Sequence, residues 1–189
     1  MRYILFSLAL ICSATAAAVE SNIWAQLRQG GYVILLRHAE VDGDSQSTGP
    51  NEAALGCAGQ PNLNAKGVAQ AQQLKQVMRK QKVPIGGVLA SPLCRTRDTA
   101  RITFGAYRVW PLLEESAVPS QVARITDIGQ VIGAHTGREN LVLVTHQPII
   151  DALTLELVEW ATLVIVKPDG KGGFNVVKKL PPTVWQSAR

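Results

Sequence analysis

Three short motifs hold the residues whose types could do chemistry. Arg37-His38-Ala39, Ser91-Pro92-Leu93-Cys94-Arg95 and Thr145-His146-Gln147-Pro148 each follow directly on an apolar run. Two histidines and two arginines suit the handling of a phosphate ester. That chemistry needs cations for the non-bridging oxygens, a nucleophile in line with phosphorus and an acid for the leaving alkoxide. A guanidinium offers phosphate a planar fork of donors, so Arg37 and Arg95 are candidate phosphate-binding residues. Neutral imidazole is a competent nucleophile near pH 7, and neighbouring arginines hold it neutral by lowering its pKa.

The elements around these motifs decide whether they can meet. Residues 32–36 (YVILL) form a continuous apolar run rich in β-formers, as in a strand buried on both faces. Asn64 can cap a helix whose apolar positions Val68, Ala71, Leu74 and Val77 recur at helical spacing. A second short strand, 87–90, leads into Ser91-Pro92, a capping residue and a proline suited to the first helical position, with helix expected through Thr99. Val122, Ile125, Ile128 and Val131 or Ile132 predict a helix from about Ser120 that stops near Gly137. Residues 141–145 (LVLVT) read as a third buried strand, and Pro148 opens another helix. Residues 161–166 and 174–177 flank the turn at 168–170 and predict a terminal hairpin.

Strands alternating with helices predict an α/β fold, a three-layer sandwich with a largely parallel central sheet flanked by helices. In an open parallel sheet the carboxyl ends of the strands line one edge, where ligands bind. The three motifs would therefore converge there. Residues 41–61 form the one long irregular loop, of the kind that borders active sites.

Four segments in order resemble the histidine phosphatase superfamily, the phosphoglycerate mutase-like proteins: LLRHAE at 35–40, LNAKGVAQAQQL at 63–74, ASPLCRTRDTA at 90–100 and VTHQPII at 144–150. The resemblance spans nearly all of the chain after its first residues. It implies that His38 becomes phosphorylated, that Arg37, Arg95 and His146 bind the phosphoryl group, and that a carboxylate serves as acid and then base. In the family that carboxylate ends a Leu-x-Glu pattern. Leu112-Leu113-Glu114 matches it, which points to Glu114, with Glu115 as its alternative. Ala39 stands where the family has glycine, and the 41–61 loop lacks the residues with which mutases hold a phosphoglycerate.

Other groups fall outside this constellation. His135 is expected to meet helix-terminal carbonyls, and Arg97 and Arg101 to be solvated or paired with Asp98. Asp42, Asp44 and Glu52 are loop carboxylates that could hold a cation, but three histidines and few cysteines argue against a structural zinc site. No metal and no cofactor are expected. Lys167, Lys171, Lys178 and Lys179 read as solvated protection of an edge strand.

Residues 1–18 have the order of a secretory signal peptide: Arg2, an apolar stretch and a run of small residues ending in Ala-x-Ala. That stretch is shorter than the roughly 20 residues of a spanning helix. Residues 19–189 would then be one histidine phosphatase domain in the periplasm or secreted, with no stable membrane insertion after processing. Loss of Arg2 lowers the formal charge from +5 to +4. A mild basic excess favours anionic ligands but lacks the dense Lys/Arg blocks of a nucleic-acid tail, so no nucleic acid partner is expected. Cys57 and Cys94 are the pair left after processing and a candidate disulfide in an oxidising compartment.

Function is thus expected to be a metal-independent phosphomonoesterase acting on a small-molecule, glycan or lipid phosphate ester, an envelope sugar phosphate among them. A non-catalytic binder of phosphorylated sugars or lipid headgroups is the alternative, as is a protein phosphohistidine phosphatase. The sequence leaves the oligomeric state open.

Overall fold

The computed structural model describes residues 23–43, 56–115 and 121–188. The expected signal peptide, Asp44, Glu52 and the connection at 116–120 lie outside the described residues. A helix over 23–29 (α1) precedes β1 (Val33–Arg37). There follow α2 (Ala65–Lys80), β2 (Ile85–Ala90), α3 (Cys94–Phe104), β3 (Arg108–Val109), α4 (Gln121–Gly133), β4 (Asn140–Thr145) and α5 (Gln147–Thr154). The hairpin β5 (Leu163–Pro168) and β6 (Phe174–Leu180) and a short helix α6 (Pro182–Trp185) complete the described chain.

The six strands run in the order β3-β2-β4-β1-β5-β6. Strands β3, β2, β4 and β1 are mutually parallel, while β5 and β6 add antiparallel at the far edge. The predicted three-layer, largely parallel architecture is therefore what the chain adopts. Strand β1 shows why its apolar run is unbroken. Ile34 and Leu36 pack in one core cluster with Leu74, Val77 and Trp185, whereas Val33 and Leu35 pack in the opposite one with Ile128, Ile132 and Ile149. A strand covered on both faces has no solvent side to mark with polar residues.

Helix α2 starts as expected, with Asn64 Oδ1 accepting the Gly67 N–H at 2.7 Å. Two other boundaries differ from expectation. Helix α3 begins at Cys94, not at Pro92: the Ser91 carbonyl accepts from Thr96 Oγ1 (2.9 Å) and Ser91 Oγ accepts from the Leu93 N–H (3.3 Å). Ser91-Pro92 is thus a bend that precedes the helix. Helix α4 stops at Gly133, earlier than the expected Gly137, and a Cβ at Gly133 would collide with the backbone of Gly172 in the β5–β6 turn. His135, beyond that end, donates from Nε2 to the Glu139 carbonyl (3.0 Å) and so ties the connection into β4.

Candidate active site

Register brings the three motifs to one edge. Arg37 at the end of β1 lies opposite Thr145 at the end of β4, and Ala90 at the end of β2 lies opposite Val144. Because these strands are parallel, His38, His146 and Ser91 all emerge at the carboxyl end of the sheet. The antiparallel neighbour contributes from the other direction. Leu163 of β5 pairs with Leu36, so the residues before β5 pass beside the motif: Arg37 N–H donates to Thr162 O and Ala161 N–H donates to His38 O, each at 3.1 Å.

His38 is buried, and its Nδ1 lies 2.8 Å from the Ala39 carbonyl. A carbonyl only accepts, so Nδ1 carries the proton, and in the neutral ring Nε2 keeps its lone pair. The His38 pKa is pushed down to about 3, by burial first, with the Ala39 carbonyl opposing and Arg95 and Arg37 adding to the fall. The His146 ring lies edge-on to it, centroids 5.3 Å apart at 61°. Burial, then His38, Arg95 and Arg37, holds His146 well below the ordinary histidine range. His146 Nε2 meets Ser91 Oγ at 2.8 Å, while its Nδ1 faces Glu115 Oε1 at 3.5 Å.

Arg95 is fully buried on the first turn of α3, and its Nη2 donates to Glu115 Oε1. Arg37 donates from Nη1 to the Val158 carbonyl (2.6 Å), and its guanidinium lies 5.3 Å from the centre of the Trp160 ring. Arg37's own pKa is lowered by burial and raised in part by Glu115. The 155–162 segment that carries Val158 and Trp160 is itself clamped: the Gln147 amide accepts the Val158 N–H at 2.8 Å and donates to Glu156 O at 3.4 Å.

A carboxylate set among these cations is that of Glu115. For Glu114, the expected acid and base, the structure gives backbone contacts, its N–H to Pro111 O (3.1 Å) and its carbonyl from Arg124 Nη1 (2.6 Å). The signal for Glu115 was present in the sequence, since Leu113-Glu114-Glu115 satisfies the Leu-x-Glu spacing as well as Leu112-Leu113-Glu114 does. The buried side chain of Leu113 marks which register faces inward.

Cys57 and Cys94 are joined as a disulfide, with Cα atoms 5.6 Å apart. The Cys94 N–H also donates to Gln60 Oε1 at 2.7 Å, so the end of the long loop is tied twice to the start of α3, one residue before Arg95. Other supports were not read from sequence. Thr99 Oγ1 donates to Arg95 O (2.7 Å) and accepts the Ala39 N–H (3.0 Å), and Gln70 Oε1 accepts the Glu40 N–H (3.0 Å). The contacts to Ala39 and Glu40 are non-local and have no periodic signature. Arg97 and Arg101 sit outside the site, on Tyr107 and Asp98 respectively. Asp42 accepts from Asn64 Nδ2 at 3.2 Å, and the described residues hold no group of three or more His, Cys, Asp or Glu side chains suited to a metal. Of the hairpin lysines, Lys167 is on the inner strand β5, donating to Gly31 O and lying over Tyr32, and Lys179 pairs with Glu156.

Fold and site together define a phosphoglycerate mutase-like α/β protein. Residues 33–120 match the family model of the histidine phosphatase superfamily (branch 1). No curated protein matches the chain in sequence. Among solved structures it is similar to the protein histidine phosphatase SixA complexed with tungstate, with a TM-score of 0.59, 17% identity, and coverage of 80% of this chain and 97% of that one. A mutant phosphoserine phosphatase from Entamoeba histolytica in complex with phosphoserine gives a TM-score of 0.59 at 12% identity, covering 78% of this chain and 95% of that one. Phosphoglycerate mutase from Thermus thermophilus gives 0.53 at 21% identity, covering 79% and 98%. At such identities these likenesses speak for the fold. No helix among the described residues is long and apolar enough to cross a membrane.

Proposed function

We propose that the protein is a phosphatase that hydrolyses phosphate monoesters through a phosphohistidine on His38. The observation that supports this most strongly is the tautomer of His38. Its Nδ1–H is bound to Ala39 O, and its neutral ring presents Nε2 within a set of two arginines and a second histidine. Nε2 would attack phosphorus, forming a P–N bond as the P–O bond to the leaving group breaks. Arg37, Arg95 and His146 would carry the charge of the transferring phosphoryl group, which is where most catalysis of this reaction resides. A water then attacks phosphorus, the P–N bond breaks, and His38 leaves as the neutral imidazole it was.

Glu115 would supply and recover the proton, a reading supported by its contacts with Arg95 and His146. In the structure its carboxylate occupies Arg95 as a phosphoryl oxygen would. A bound phosphate displaces it from that cation and sets a negative charge beside it, and both changes raise a carboxyl pKa. Glu115 would therefore hold a proton when substrate is bound, give it to the leaving oxygen, and take one from the attacking water.

Residues 1–18 support a site of action outside the cytoplasm, with a small-molecule, glycan or lipid phosphate ester as substrate and envelope sugar phosphates as the class to test. The deciding experiment is p-nitrophenyl phosphate hydrolysis with EDTA present, for the wild type and His38→Ala, joined to a search for acid-labile, base-stable phosphate label on the protein. Turnover that survives EDTA, with label on the wild type and neither in the variant, is expected. Turnover retained by His38→Ala would overturn the reading.

A further inference from the structure

At the opposite end of β2 from the site, a groove of about 640 Å³ runs between α2, the first half of β2 and the connection from α3 to β3. Its origin is a strand that is too short. β3 pairs only with Leu89 and Ala90, and the chain reaches it from Gly105, which caps α3 at φ 86°. Beside Ile85–Val88, on the side away from β4, no described strand is paired. The groove occupies the place that a longer β3 would fill.

Two further features mark what could lie there. Lys75, Arg79, Lys82 and Arg108 line the groove with no acid among its lining residues, and none of the four makes an ion pair with a described residue. Val83, Met78 and Val88 form an apolar floor. The side chain of Glu139, the residue before β4, lies against Gly86. An open sheet edge offers main-chain hydrogen bonds to an extended segment, an apolar floor takes alternate side chains, and four cations select negative charge.

We propose that this groove binds an extended acidic peptide segment of a partner protein, which adds to the edge of β2 at Ile85–Val88. The four residues of free edge span on the order of 13 Å of strand, so the recognised core would be about four residues, with apolar side chains on the floor alternating with carboxylates outward. The groove is separate from the catalytic edge, and the inference does not rest on the phosphatase reading.

The probe is a fluorescein-labelled peptide alternating glutamate and valine over seven residues, titrated with the protein in fluorescence anisotropy at low and moderate salt. The expected result is saturable binding that falls roughly tenfold for Arg79→Ala/Lys82→Ala, as loss of two exposed ion pairs allows. The same peptide N-methylated at the residues facing the edge should lose roughly tenfold as well, because it cannot donate to the strand. The double variant should keep the cooperative urea unfolding transition of the wild type, which shows that it is folded. Equal binding of the N-methylated peptide would overturn strand addition. Absent binding up to about 1 mM, or binding to phosphatidylglycerol vesicles alone with the same dependence on Arg79 and Lys82, would overturn the peptide as occupant.

Discussion

A histidine kept neutral by burial costs stability wherever the unfolded chain can protonate it. The direction follows from the pKa values: His38 falls to about 3 in the fold against an ordinary 6.5, and His146 is lowered too. Below 6.5 the unfolded state binds protons that the folded state refuses, so stability drops as pH falls and is level above 6.5 on this account. Each such histidine gives a slope of up to about 1.4 kcal/mol per pH unit. Between pH 5 and 6.5, where most carboxylates are still ionised, urea denaturation should show this slope, and His38→Gln should reduce it. A slope unchanged by the variant would place the protonation elsewhere. Glu115 invites a second residue-level test. Glu115→Gln should lower kcat by roughly 10²–10⁴ for an alkyl phosphate, whose leaving group needs a proton. It should cost much less for p-nitrophenyl phosphate, whose phenolate leaves readily. Glu114→Gln should do neither; if it reproduces the leaving-group dependence, the roles of the two glutamates are exchanged.

At the scale of elements, the site depends on α2 and α3 lying close against the turn that follows β1. Gly67 is the point of closest approach, for a Cβ there would run into the Glu40 backbone. Gly67→Ala must push α2 away from the residues just after His38. The expected cost is about 1–3 kcal/mol in urea denaturation, as for other overpacked positions, with a fall in turnover as Ala39 shifts. Full activity together with full stability would show that the turn can yield. The Cys57–Cys94 bond works on the same ground from the other side, closing the loop onto the first residue of α3. Reduction should remove about 2–4 kcal/mol of stability, read as a shift of the urea midpoint under dithiothreitol. Much of this frame was legible in the sequence: the two-sided strands, the Asn64 cap, and the motifs that parallel pairing must bring to one edge. What stayed hidden has one physical character. The clamp of Gln147 on Glu156 and Val158, the Trp160 ring beside Arg37, and the meeting of Glu115 with Arg95 are contacts between distant or irregular segments. No period records them, and Leu-x-Glu fits two overlapping registers. The start of α3 was misread because Ser91-Pro92 has the composition of a helix start, while Ser91 Oγ is engaged by His146.

The whole molecule adds a field to these local parts. Lys and Arg outnumber Asp and Glu by 19 to 14, giving +5 before any processing, and the catalytic edge gathers Arg37 and Arg95 where the parallel strands end. The antiparallel β5–β6 hairpin ends the sheet on the side opposite β3. A net positive protein raises the encounter rate of a dianionic ester, and salt screens that attraction over about 10 Å at 0.1 M. Attraction acting before contact enters kcat/KM, whereas the proposed step on His38 would take place among buried groups that salt reaches poorly. Raising sodium chloride from about 20 to about 500 mM should therefore lower kcat/KM for p-nitrophenyl phosphate severalfold and leave kcat nearly constant. A parallel fall in kcat would mean that the ions disturb the assembled site itself. Constancy of both would mean that the two arginines act only on substrate already in place, with no contribution from the charge of the whole.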